Sequence, residues 1–177
     1  MSCRPLAALV AAAIFALTSR SAVASVAVPA SVEELARASS AVVRGRVVSA
    51  SASWSRDHRR IDTRIEIEVV SAWRGTPPAR LVVAVPGGEA GGLAQRVAGA
   101  PRLTPGEEVV LFLWGGGAGR PYRVTGLAQG KFEVSGARVR PDLSETGFVP
   151  RAPLRGGERR VEAMALDELE RRVRSAR

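Results

Sequence analysis

The chain has 177 residues, enough for one ordinary domain, and its Lys and Arg residues outnumber its Asp and Glu residues by 26 to 17. Cys3 is the only cysteine, which excludes an intramolecular disulfide, and a single histidine leaves too few ligands for a zinc site. The fold must therefore be stabilised by its hydrophobic core, and we expect neither a metal nor another cofactor.

Residues 1–24 have the features of a secretory signal peptide. Arg4 supplies a positive charge, and the uncharged run Leu6–Leu17 is shorter than the roughly 20 residues needed to cross a bilayer. Ala22–Ala24 provides a small-residue cleavage site. The pattern predicts cleavage near Ala24, or after Ala30 as a second choice, and export to the periplasm or the exterior. No later run is apolar enough to predict a transmembrane segment.

Arginine dominates the positive charge of the predicted mature chain. Without Arg4 and Arg20, 24 basic and 17 acidic residues remain, a net charge of +7, and Lys131 is the only lysine. Such a surface favours polyanions such as nucleic acid, anionic polysaccharide or lipid headgroups. The alternative is a basic composition that serves no particular partner, because an arginine bias is also typical of GC-rich coding.

The mature chain is predicted to begin with a short helix and a strand. Ser31 and Glu34 form a capping-box pattern, which predicts a helix over Val32–Ala38. The strand Ala41–Ala52 follows, and Gly45 near its centre indicates a bulge or a tight bend.

The clearest element is the next strand, Ile61–Trp73. Apolar and charged residues alternate along it, so we expect one buried face and one exposed face. The apolar face carries Ile61, Thr63, Ile65, Ile67 and Val69, and the charged face carries Asp62, Arg64, Glu66 and Glu68.

Later strands are shorter and less periodic. Arg80–Pro86 and Glu108–Trp114 are apolar at nearly every position, which predicts cover on both faces. Further strands are expected over Pro121–Leu127, Lys131–Ser135 and Ala137–Arg140.

The end of the chain predicts a linker and a helix. Residues 141–163 have turn composition without periodicity, and Leu166, Leu169 and Val173 have the spacing of an amphipathic helix within residues 164–177. Residues 25–140 then form one domain. Five or six short strands separated by turns predict a mainly β fold, an OB-like Greek-key barrel with a short N-terminal helix and a C-terminal amphipathic helix.

Parts of these strands resemble a known barrel. Ala41–Val48, Ile65–Gly75 and Pro105–Leu113 resemble strands of the OB-like domain of tissue inhibitors of metalloproteinases and of netrin-type modules. The resemblance implies the same barrel. Those inhibitors act through an N-terminal cysteine that the predicted mature chain lacks, so their mechanism does not carry over.

A second resemblance covers most of the mature chain. Pro86–Glu89, Gly126–Phe132 and Leu166–Leu169 are similar to a pattern in exported bacterial single-domain β-proteins of unassigned function. This resemblance implies export and a single domain, and it implies no activity.

Motifs for catalysis and nucleotide binding are weak. His58 lies among arginines, which disfavours a nucleophilic triad, and the glycine clusters do not match a phosphate-binding loop. A carboxylate pair, Glu89 with Asp142 or Glu107, is the remaining route to a hydrolase. We therefore do not expect an enzyme.

The sparse aromatic residues also disfavour nucleic-acid binding. An OB barrel binds single strands through aromatic side chains that stack on bases along a basic groove. Phe112 and Trp114 are predicted to lie in the core, which leaves Trp54 and Tyr122 as the candidates for exposure.

The long Gly- and Pro-containing segment over residues 87–106 is the candidate contact surface, because long loops are frequently functional. The alternative is a merely structural loop. The candidate binding residues, three in the segment and two expected near it if the barrel closes, are Glu89, Gln95, Arg96, Gln129 and Lys131.

The sequence thus favours an exported, non-enzymatic module that binds another macromolecule, an inhibitor-like or accessory protein whose partner is another exported protein. The alternative is a cell-envelope protein that binds a polyanion: nucleic acid, anionic polysaccharide or lipid headgroups.

Overall fold

The computed structural model describes residues 25–117, 119–143, 146–148 and 162–176. It is mainly β, with 48% strand, a closed five-stranded barrel, a short helix near the N-terminus and a C-terminal helix. The predicted fold class is therefore confirmed. The predicted signal peptide and most of the predicted linker lie outside the described residues.

The observed bounds of the elements follow the predicted order closely. In chain order they are β1 (Ser25–Ala27), α1 (Val32–Arg37), β2 (Ala41–Trp54), β3 (Ile61–Arg74), β4 (Arg80–Pro86), β5 (Gly88–Ala90), β6 (Leu93–Gln95), β7 (Glu108–Gly115), β8 (Tyr122–Val124), a 3-10 turn (Leu127–Gly130), β9 (Lys131–Ser135), β10 (Arg138–Pro141), β11 (Thr146–Phe148), β12 (Met164–Ala165) and α2 (Leu166–Ser175).

The barrel has the strand order β2-β3-β4-β8-β7, and β7 returns to β2. Every neighbouring pair is antiparallel except β4 and β8, which run parallel and meet at Val83 and Tyr122. An antiparallel meander closed through one parallel contact is the arrangement expected of an OB-like barrel. β9, β10 and β12 extend the sheet beyond β7.

The inside of the barrel is filled by alternate residues of its strands, as the β3 pattern predicted. Ile65 and Ile67 of β3 are buried there, together with Leu81 and Val83 of β4. A strand sends successive side chains to opposite faces, so Arg64, Glu66 and Glu68 are exposed on the outside.

A second core lies outside the barrel, under the two helices. Leu35 of α1 and Leu169 of α2 pack in this core with Phe112 of β7 and Phe132 of β9, whose ring centroids are 5.6 Å apart. β7 is therefore covered on both faces over most of its length, as its continuous apolar run predicted.

The long β2–β3 ribbon contains the bulge predicted at Gly45. Its register shifts beside Gly45 and at two other places, and the shifts leave Val48, Val70 and Trp73 without direct partners. Trp73 turns into the helix-covered core, whereas Val48 and Val70 are 44% and 59% exposed. The bulges thus explain two of the exposed apolar side chains.

Three expectations need correction. Trp114 is not in the core: it is 48% exposed, because it lies at the end of β7, beyond the cover of the helices. The segment 87–106 contains its own small hairpin, β5–β6. The fifth strand is only Tyr122–Val124, because the chain turns at Gly126 into the 3-10 turn.

The two helices are joined by an ion pair. Ser31 and Glu34 form the predicted capping box at the start of α1. Arg172 of α2 donates two hydrogen bonds, of 2.7 and 2.9 Å, to the carboxylate of Glu33 in α1. These bonds are the main reason that the pKa of Glu33 lies below its ordinary value.

The lowered pKa of Glu33 predicts how the helix pair depends on pH. Its contribution to stability is present above the ordinary glutamate pKa of 4.5 and is lost as the pH falls through the lower folded value. Because both side chains are about a third exposed, we expect the Glu33→Gln variant to lose less than about 1 kcal/mol at neutral pH. Urea unfolding at a series of pH values tests this, and a difference from wild type that grows below pH 4.5 would contradict it.

Gly45 tests the close contact between β2 and β3. A Cβ atom there would lie 2.6 Å from Cγ2 of Ile67 and 2.7 Å from the carbonyl oxygen of Glu68. We therefore expect Gly45→Ala to reduce the free energy of unfolding by about 1 to 3 kcal/mol through overpacking. Ser51→Ala, at an exposed position of the same strand, is the control and should change it little. Equal effects of the two substitutions in urea unfolding would refute the close approach.

Candidate ligand-binding groove

A groove of about 570 Å³ lies on the outer face of β3 and β4. The turn after β3 borders it at one end, and the connection from β7 to β8 borders it along one side. Its lining residues are Val48, Arg64, Glu66, Ile67, Thr76, Pro78, Arg80, Leu81, Val82, Gly117, Gly119, Arg120, Pro121 and Tyr122.

Apolar side chains and one aromatic ring contribute to the surface of this groove. Val82 lies opposite Glu66 in the β3–β4 ladder, and Val48 is exposed at the neighbouring bulge of β2. The ring of Tyr122 occupies the space that a side chain at Gly116 would need. Glycine at that position therefore lets the connection pack directly on the ring.

Three arginines and one glutamate supply the charged groups of the groove. Arg64 and Arg120 are exposed, and neither has an ion pair within the described parts of the chain. Arg80 approaches Glu68 at 3.9 Å, but both side chains are more than half exposed, so this pair is weak. The groove therefore presents guanidinium groups that remain available to an anionic ligand.

The contact between β4 and β8 that closes the barrel lies beside this groove. β4 and β8 pair at Val83 and Tyr122 through a parallel bridge that engages the carbonyl of Val82, so the strand ladder on that side of β4 does not continue to Arg80. In the ranges that the structure describes, Arg80 has a strand partner only in β3. The groove therefore contains a short free strand edge.

A smaller hollow of about 320 Å³ lies between the barrel and residues 87–104. The segment is fixed at both ends: the backbone N–H of Gly87 donates to the carbonyl of Ile61 at 2.8 Å, and that of Gly106 donates to the carbonyl of Val47 at 2.9 Å. Gly88 lies so close to Thr63 and Ala52 that no side chain fits there. This segment therefore packs as part of the barrel wall.

Three of the five candidate residues, Glu89, Gln95 and Arg96, line this smaller hollow together. The side-chain oxygen of Gln95 accepts a hydrogen bond of 2.6 Å from the backbone N–H of Ile61. Gln129 is buried and binds the backbone of Ala30 and Val28 at 2.9 and 3.2 Å. Both amides thus make internal bonds, whereas Glu89 and Arg96 are exposed, and none of the five candidates lines the larger groove.

Lys131 is the fifth candidate and is only 3% exposed. Its ammonium group lies 2.6 Å from a carboxylate oxygen of Glu107 and 3.4 Å from one of Glu133. Glu107 also accepts a hydrogen bond from the backbone N–H of Thr104, at the end of the long segment. Lys131 therefore links β9, through Glu107, to the end of that segment by an ion pair inside the fold.

The turn between β2 and β3 is also ordered. His58 has a positive φ and stacks on Trp54, with the ring centroids 6.2 Å apart. The hydroxyl group of Ser55 donates to Asp57 at 2.6 Å, and this bond, followed by one from the backbone N–H of Arg59, lowers the pKa of that carboxyl group. The sole histidine thus packs on an aromatic ring within a turn.

Sequence reasoning did not identify the groove as a site. The exposure of Arg64 and Glu66 was predicted from the alternation of β3, and Tyr122 was a candidate for exposure. Their proximity to Arg120 arises because β8 returns beside β4 in parallel, which the spacing of short strands does not reveal. The run Gly115–Gly119 followed by Arg120 is the sequence signal that could have pointed to this connection.

Searches for a metal site, for a membrane-spanning helix and for similar proteins do not identify a function. No group of three or more His, Cys, Asp or Glu residues that could hold a metal occurs in the described ranges, and no described helix is both long and apolar enough to cross a membrane. Comparison with protein-family models, curated proteins and solved structures finds no match to this chain. The two resemblances therefore remain predictions.

Lys131 provides a test of the buried ion cluster. Lys131→Met would leave Glu107 and Glu133 without their shared ammonium partner, so we expect unfolding to become easier by about 3 kcal/mol. Adding Glu107→Gln should restore part of the loss, because it removes one uncompensated carboxylate. Thermal or urea unfolding of wild type, both single variants and the double variant gives the coupling, and additive effects would contradict the cluster.

Proposed function

We propose that this protein is an exported, non-enzymatic module that binds another macromolecule through the β3–β4 groove. The single observation that carries the proposal is the groove itself, in which two arginines that have no ion pair within the described residues, apolar side chains and a tyrosine ring meet beside a partly paired strand edge. Its volume lies in the range of about 300 to 1,000 Å³ that is usual for ligand sites.

The position of the groove supports binding rather than a purely structural role. Val48 and Val82 stand on the solvent side of the sheet, although apolar residues in barrel strands ordinarily point inward. Their placement beside Arg64 and Arg120 gives a surface with an apolar centre and a charged rim, as in protein interfaces.

The alternative function, binding of an envelope polyanion, is favoured by one observation: three arginines face the groove and only one glutamate does. It predicts binding to heparin or DNA that weakens steeply as salt is added, because counterions are released when phosphate or sulfate groups are neutralised.

Site-specific photocrosslinking tests the groove as the binding surface. A benzophenone amino acid replaces Val82 in one variant and Val70 in the other, and each protein is irradiated in its producing cells. Val70 is the matched control, since it is an exposed valine of the same sheet that does not line the groove. We expect one discrete adduct from position 82 and none from position 70. Adducts of equal yield at both positions, or none at position 82, would count against the proposal.

A further inference from the structure

We infer that the groove receives an extended acidic segment of a partner protein, which adds as a strand to the free edge of β4. The inference rests on the proposed function and specifies the partner and its mode of binding. Three features of the described residues carry it: the backbone of Arg80–Val82, the shape of the space beside it and the arginines around it.

The backbone of β4 provides the docking edge. β4 bonds to β3 on one side over its whole length, from Arg80 opposite Glu68 to Pro86 opposite Asp62. On its other side, β8 pairs with it at Val83, and this parallel bridge engages the carbonyl of Val82, so within the described residues the unpaired groups of this edge are the N–H and C=O of Arg80 and the N–H of Val82. An unpaired strand edge presents N–H and C=O groups that pair readily with an added strand, and such pairing gives affinity without requiring a particular sequence.

The side of the groove opposite this edge has little steric bulk. Gly117 and Gly119 line it, and a side chain added at either would meet no atom within 4 Å, so this side of the groove is low and open. Pro78 and Pro121 flank it and have no backbone N–H groups of their own to pair with an incoming strand.

The charges select an acidic segment. In an extended chain, every second side chain points to the same face, so alternate acidic side chains of an added strand would project on the same side of the sheet as Arg80 and Arg64. Arg64, Arg80 and Arg120 can each bind a carboxylate with two parallel hydrogen bonds. Glu66 disfavours a fully anionic polymer and suits a segment in which uncharged residues alternate with acidic ones.

The aromatic content of the groove argues against a nucleic-acid strand. Successive bases require successive stacking rings, and among the described residues only Tyr122 contributes an aromatic ring to the lining. A polypeptide requires no such platform, because its backbone pairs with β4 and its carboxylates pair with the arginines.

The test uses a ten-residue peptide in which glutamate and threonine alternate, with blocked ends, titrated into the protein at low salt. The matched peptide has glutamine in place of glutamate. Two further peptides carry N-methyl groups on all the glutamates or on all the threonines, so that each lacks the N–H donors along one edge only. Heparin and a single-stranded oligonucleotide are titrated in parallel.

We expect the glutamate peptide to bind and the glutamine peptide to bind at least about tenfold more weakly, since a hydrogen bond to a charged group contributes about 1.5 to 3 kcal/mol. One N-methylated peptide should lose binding and the other should retain it. The double variant Arg64→Gln/Arg120→Gln should weaken binding by a similar factor, whereas Val70→Ser, outside the groove, should leave it unchanged.

Equal binding of the two N-methylated peptides, or of the glutamate and glutamine peptides, would overturn the inference. If heparin or the oligonucleotide binds through Arg64 and Arg120 while the peptide does not, the strand-addition inference fails and the groove remains a binding site. If position 82 also gives no crosslinked adduct in cells, the proposed function fails as well.

Discussion

One short parallel contact, between Val83 of β4 and Tyr122 of β8, closes this barrel and determines what its surface offers. All other strands of the barrel meet along antiparallel ladders. Because β8 has only three residues, it seals the interior at one level and, within the described residues, leaves the edge of β4 at Arg80 without a second strand partner. The short β8 thus closes the barrel over its core and leaves room for the external groove.

Some arginines of the chain bond to other parts of the fold, and others remain available to a ligand. Arg172 binds Glu33 between the helices, Arg44 binds Glu108 at 2.6 Å, and Arg74 donates to the carbonyl of Ala176 at the end of α2. These arginines stabilise the fold, so their charges are engaged inside the protein. Arg64 and Arg120 differ in having no ion-pair partner in the described ranges, and they lie in the groove.

The sequence was informative wherever a local pattern decides the structure. The alternation of β3 predicted its buried isoleucines, Ser31 and Glu34 predicted the cap of α1, and Gly45 predicted a bulge. It was uninformative where a long-range partner decides. Nothing near Lys131 shows that Glu107 will neutralise it, and Trp114 continues an apolar run yet extends past the helices that cover the rest of β7. The groove belongs to this second class, because it joins residues from both halves of the chain.

Nuclear Overhauser contacts in an isotope-labelled sample test the closure of the barrel most directly. The account predicts backbone contacts from Tyr122 to both Val83 of β4 and Gly115 of β7, since β8 pairs with both strands. Contacts from Tyr122 to Gly115 alone would show an open sheet, and they would remove both the closed barrel and the groove that depends on it.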